Sequence, residues 1–161
     1  MTIKKRTAIG GLFFVGALLF SAIYFLSRPS FFVESNGRTV LSFGIKPGEQ
    51  VSLHYIHSVQ KTPVIENIVV EPSGKLTVVS TEYQSFGVGL PFLASEGNFR
   101  IQGDTFILEG MHRSYDNINL RVGPEAQLTL QYDGNDYALY QTLPPGALVT
   151  LRVAPYYSKW F

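Results

Sequence analysis

From Pro29 onward, apolar and polar residues alternate in short runs broken by turn residues, a period of two that predicts strands. Asn36-Gly37 separates two short apolar stretches, and Lys46-Pro47-Gly48-Glu49 precedes Val51-Ser52-Leu53-His54-Tyr55-Ile56-His57. Pro72-Ser73-Gly74 joins Ile68-Val69-Val70 to Leu76-Thr77-Val78-Val79, and Gly103-Asp104 divides Phe99–Ile101 from Phe106–Leu108. The clearest hairpin is Asp133-Gly134-Asn135, between Leu128–Tyr132 and Tyr137–Tyr140. Leu148–Val153 makes a last strand. All nine Pro fall at the ends of such runs, where a missing N–H breaks no ladder. No long amphipathic helix is predicted after residue 29. About eight short strands and tight turns predict an all-β domain, an antiparallel sandwich or barrel.

Residues 1–28 follow a different pattern. Ala8–Leu26 is uncharged and almost wholly apolar, and its 19 residues would span ~28 Å as a helix. Lys4, Lys5 and Arg6 precede it, and only Arg28 follows closely. The positive-inside rule then keeps the N-terminus in the cytoplasm and sends residues 29–161 across the membrane. Bulky Ile23-Tyr24-Phe25-Leu26 occupies the place where a cleaved signal peptide needs small residues, so an uncleaved anchor is expected. The chain therefore divides into a cytoplasmic basic tip with a transmembrane anchor, 1–28, and an exported β domain, 29–161. Only Ser27–Ser30 connects them, which holds the domain close to the bilayer.

Charge narrows the function. The four basic residues of 1–28 leave nine basic and twelve acidic side chains in 29–161, with no Lys/Arg run. A protein that neutralises phosphates needs a basic face, so no nucleic-acid partner is expected. There is no Cys, hence no disulfide, thiol nucleophile or thiolate metal site.

Three segments carry candidate chemistry. In His57-Ser58-Val59-Gln60-Lys61-Thr62-Pro63-Val64-Ile65-Glu66, His57 shares a strand face with Val51, Leu53 and Tyr55, and Glu66 shares parity with Val64, Ile68 and Val70. A turn centred near Lys61-Thr62 would set His57 opposite Glu66. The two would form either a structural polar pair or a pH-responsive ligand site. Ser58 or Thr62 would cap the turn. Ser58 and His57 point to opposite faces of a strand, and no nucleophile elbow exists, so a hydrolytic triad is not expected. His54 and His57 also face opposite ways, and His112 falls in an apparent loop, Glu109–Arg113, so no metal set forms. No catalytic residue and no cofactor is expected. The second segment, Ser85-Phe86-Gly87-Val88-Gly89-Leu90-Pro91, has a Gly-x-Gly but neither the third Gly nor the Lys-Ser/Thr of a phosphate loop. Its glycines fit a left-handed turn or a close backbone approach. The third is the aromatic C-terminus, Tyr156, Tyr157, Trp160 and Phe161 beside Lys159, suited to a membrane interface, a protein groove or packing back on the domain.

The first two segments together resemble the bacterial Domain of Unknown Function 1850 family over roughly residues 40–130. The matching residues are His57, Ser58, Val59, Lys61, Thr62, Pro63, Val64 and Glu66, with Ser85, Phe86, Gly87, Gly89, Leu90 and Pro91. Gln60 stands where that pattern often has an acid. The resemblance implies a small membrane-anchored protein associated with TAXI-type TRAP transporters, which are tripartite and depend on a solute-binding protein. It implies no reaction. The expected role is a periplasmic accessory subunit, anchored in the inner membrane through residues 8–26, that assists assembly or docking for organic-acid uptake. Its partners would be the transporter membrane subunit and its solute-binding protein, met through the two motif segments or the aromatic tail. The alternative is a small-ligand or lipid-binding β module using His57 and Glu66. An exported hydrolase is the least expected.

Overall fold

The computed structural model describes residues 3–85 and 94–160, with side chains described for 14–85 and 95–160. A helix, α1 (Ile3–Leu26), runs into β1 (Pro29–Ser35) with only Ser27-Arg28 between them. Then follow β2 (Arg38–Gly44), β3 (Gln50–Ile56), β4 (Pro63–Val70), β5 (Leu76–Tyr83), β6 (Asn98–Gln102), β7 (Thr105–Tyr115), β8 (Ile118–Arg121), β9 (Thr129–Tyr132) and β10 (Asn135–Ala138). A single helical turn, α2 (Leu139–Thr142), precedes β11 (Leu148–Pro155), and a 3-10 turn over Tyr156–Trp160 follows it.

The strands form two antiparallel sheets, one ordered β2-β1-β11-β8 and the other β10-β9-β3-β4-β5-β7-β6. The domain is therefore an all-β sandwich. Phe31, Val33, Val149 and Leu151 of the smaller sheet meet Val51, Leu53, Ile68, Leu76, Leu108 and Leu130 of the larger one in a single apolar core. Phe43 of β2 closes one side of the sandwich. It stacks on Phe31 (5.2 Å between ring centroids) in its own sheet and on Tyr132 (4.4 Å) and Tyr137 (5.8 Å) of the other.

Local chemistry accounts for the turns. Asn36 and Gly37 have φ of 52° and 70°, and Asp133 and Gly134 have 48° and 73°. Both two-residue hairpins need a left-handed backbone, which Asn, Asp and Gly accept at least cost. The expectation of a loop over Glu109–Arg113 is corrected. Those residues lie inside the 11-residue β7, where Gly110 at φ 71° makes the irregularity in its pairing with β5. His112 is thus an exposed strand residue. Leu139 and Tyr140 turn into α2 instead of extending β10, because buried Leu139 joins the core there.

Backbone hydrogen bonds continue past the strands at both ends of the sandwich. Next to α1, Ile45 N–H donates to Pro29 O (3.2 Å). At the other end, Ile56 N–H donates to Ala126 O (2.7 Å), and Val122 N–H to Ala147 O (3.0 Å) beside the start of β11. β3 therefore starts near the α1 exit and ends at the far end, a rise of ~23 Å for seven residues.

Among the described residues, no helix is long and apolar enough to cross a membrane. The side chains of α1 are described from Phe14 to Leu26. Phe14, Val15, Leu18, Leu19, Phe20 and Ile23 are all exposed. The 3-10 turn packs on the end of α1: Tyr156 N–H donates to Arg28 O (2.9 Å), and the Tyr156 ring meets Phe25 edge-on at 5.9 Å. Trp160 stands edge-on to Tyr156 at 5.4 Å.

Candidate functional site

The connection from β3 to β4 is a closed loop, 57–62. His57 N–H donates to Thr62 O (2.9 Å), and Lys61 N–H donates back to His57 O (2.9 Å). Lys61 takes φ 56° to complete the reversal. The imidazole of His57 is folded into this turn: its Nδ1 accepts from the N–H groups of Gln60 (3.1 Å) and Val59 (3.3 Å). A ring nitrogen that accepts turns its lone pair toward the donors, so Nδ1 is committed to the turn. The side chain is 7% exposed. With Nδ1 held by the turn amides, it is not available to activate exposed Ser58.

The expected His57–Glu66 pairing does not form. β3 and β4 pair Leu53 with Glu66 and Ile56 with Pro63, so Thr62, not Glu66, stands opposite His57. The turn closes one residue pair beyond the strands, which puts the two side chains four residues apart along β3, ~13 Å. What Glu66 meets instead is Tyr55, whose hydroxyl donates to its Oε1 at 3.3 Å.

Glu66 is the anomaly of the inner face. The register aligns Leu130, Leu53, Glu66, Thr81, Leu108 and Phe99 in one transverse row across six strands. A carboxylate thus sits mid-row, beside the Thr81 hydroxyl, in a layer that is elsewhere apolar. Burial raises its pKa above the ordinary range and outweighs the lowering by the Tyr55 hydrogen bond and the nearby Arg113 guanidinium. The same burial, with the Glu66 charge, raises the Tyr55 phenol. Beside Glu66 lies a cavity of about 100 Å³ lined by Val78, Thr81, Met111, Arg113, Tyr115 and Ile118. Arg113 also pairs with Glu96 on its outer side. The cavity holds a few waters at most.

The two sequence motifs meet at the far end of the larger sheet. Val64 pairs with Tyr83, which brings the start of the second segment beside the turn, and Ser85 Oγ donates to Gln60 Oε1 (3.2 Å). Gln60 therefore has a structural partner where the family pattern often has an acid. Lys61 reaches across to Glu125, whose carboxyl it holds below the usual range. Pro63 opens β4, and the Thr62 hydroxyl oxygen is buried without a hydrogen-bond partner among the described residues. Phe86, Gly87, Gly89, Leu90, Pro91 and Phe161 lie outside the described residues. Tyr156 packs next to α1, and Ser158, Lys159 and Trp160 run back along the smaller sheet, where they line a cavity with Glu34 and Arg38, whereas the motifs lie at the end of the larger sheet. Val59, named from the sequence only as a matching residue of the first segment and not singled out as a contact, is 67% exposed at the tip of the turn. The signal was present, because an apolar residue between Ser58 and Gln60 has no strand to serve. Among the described residues no three His, Asp or Glu side chains come together as a metal set.

A family model described as Domain of unknown function (DUF1850) matches residues 51–139, just over half of the chain. The chain belongs to the DUF1850 family. The match runs from β3 through the first residue of α2 and so includes the 57–62 turn, Glu66 and Ser85. No curated protein and no solved structure matches the chain.

Proposed function

We propose that this DUF1850 protein is a membrane-anchored accessory subunit of a TAXI-type TRAP secondary transporter. Residues 8–26 cross the inner membrane and residues 29–161 stand on the periplasmic side. The observation that carries the proposal is the state of α1. Its described apolar side chains are exposed and uncovered by the domain, and it enters β1 through two residues only. An uncovered apolar helix needs an apolar surrounding. Tyr24, Phe25 and Tyr156 gather at its exit, as aromatic residues do at a membrane interface.

This arrangement divides the work. The α1 end faces the bilayer, while the 57–62 turn stands ~23 Å farther out. Exposed Val59 and the turn that His57 braces would contact the solute-binding protein or an outward loop of the membrane subunit. Purification of the tagged full chain in mild detergent tests the proposal. Transporter subunits are expected to co-purify, and their absence with and without substrate would overturn it.

The alternative, a small-ligand module built on His57 and Glu66, has weaker support. The two side chains do not share a pocket, and the space beside Glu66 is about 100 Å³, far below the ~300 Å³ of an ordinary ligand site.

A further inference from the structure

A second, larger cavity lies at the joint between α1 and the sandwich. It measures about 580 Å³, and its polar lining is Tyr24, Arg28, Lys46, Glu49, Tyr132 and Asp133. Arg28 follows directly on the C-terminal end of α1, where the helix dipole favours a cation. Its guanidinium lies 5.1 Å from the Tyr24 ring centroid and 5.9 Å from that of Phe25, and it has no ion pair among the described residues. Across the cavity Glu49 is fixed in place: Oε2 accepts from Lys46 N–H (2.9 Å) and from the Tyr132 hydroxyl (2.7 Å). Those bonds hold its carboxyl below the usual range, and burial with the Glu49 charge pushes the Tyr132 phenol up to about 12. Lys46 Nζ stands 3.8 Å from Glu49 Oε1.

The lining thus carries two cations and two anions, with a free guanidinium on one side and a pre-positioned carboxylate on the other. A ligand that complements it has a phosphate and an ammonium separated by a short link. We infer that this cavity binds the headgroup of an ethanolamine phospholipid, its phosphate on Arg28 and Lys46 and its ammonium on Glu49 and Asp133. The inference rests on the anchored reading above, which sets the α1 exit at headgroup depth. An ammonium with three N–H donors suits a carboxylate acceptor, and a trimethylated choline has no such donor. The site would fix the height and rotation of the domain on the membrane surface, and with them the direction in which the 57–62 turn points.

The test uses the full chain. Flotation with phosphatidylcholine vesicles comes first, and failure to float would overturn the anchor and this inference with it. Native mass spectrometry then measures retention of phosphatidylethanolamine against phosphatidylcholine, with free glycerophosphoethanolamine as a separate arm. The expected result is about a tenfold preference for the ethanolamine lipid, the equivalent of one charge-assisted hydrogen bond. That preference disappears in Glu49→Gln/Asp133→Asn, while Arg28→Ala weakens both lipids alike. Both variants should still float and keep the wild-type melting temperature within a few degrees. Equal retention of the two lipids by a floating wild-type chain overturns the headgroup site and leaves the anchor standing. Free glycerophosphoethanolamine binding as tightly as the lipid would make this a solute site and overturn the lipid assignment.

Discussion

Replacing Glu66 with Gln tests the physical reading of the sandwich interior. Glu66 binds its proton more tightly in the folded state than in the unfolded chain, because burial disfavours the charge. The folded state therefore holds more protons than the unfolded one, and stability falls as pH rises from the ordinary carboxyl range through the raised one. Each unit of the raise is worth ~1.4 kcal/mol at neutral pH. Gln keeps an acceptor for the Tyr55 hydroxyl, 3.3 Å from Oε1, and carries no charge to desolvate. Arg113 loses a nearby anion but keeps Glu96, so the partial loss offsets only a fraction of the gain. Glu66→Gln should raise stability at pH 7 by about 1 kcal/mol, or ~3–5 °C for a domain of this size. It should leave stability near pH 4 unchanged. The assay is thermal unfolding of the full chain in detergent from pH 4 to 8, comparing wild type with variant. A difference that does not grow with pH, or a variant less stable throughout, would refute the burial argument.

Three further substitutions follow from the same geometry. His57→Ala removes the acceptor for the Val59 and Gln60 amides and should cost about 1–2 kcal/mol, whereas His57→Asn, which restores an acceptor, should recover part of it; urea denaturation measures both. Thr62→Val removes a buried hydroxyl that has no partner among the described residues, so stability should hold or rise by up to ~1 kcal/mol; a loss above that would mean the oxygen is satisfied. Gly97→Ala places a Cβ 2.4 Å from Glu109 O, a backbone atom that cannot move without opening the β6–β7 hairpin, and should cost about 1–3 kcal/mol in the same denaturation experiment.

The sequence showed the strands and turns more fully than the site. Asn36-Gly37 and Asp133-Gly134 announce their hairpins because a left-handed backbone restricts residue choice, and the structure uses both. β7 was hidden because Gly110 interrupts the alternation and reads as a loop, whereas a bulge absorbs it within the strand. The inward direction of Glu66 followed from parity alone. Its partner did not, because parity gives a face and no register. The extra residues of the 57–62 loop moved His57 past the end of the sheet and left Tyr55 to meet the carboxylate. The nearness of Ser85 to Gln60 depends on β4–β5 pairing over 25 residues of chain, which no local pattern encodes.

The central claim is that the 57–62 turn faces a transporter component from a membrane-anchored domain. A photo-crosslinking residue placed at Val59 in the full chain, in native membranes with the transporter expressed, tests it most directly, with Asp116, exposed at the opposite end of the larger sheet, as the control. The account predicts crosslinks to the solute-binding protein or the membrane subunit from position 59 and none to the solute-binding protein from position 116. No crosslink to either subunit from position 59, with or without substrate, would contradict it.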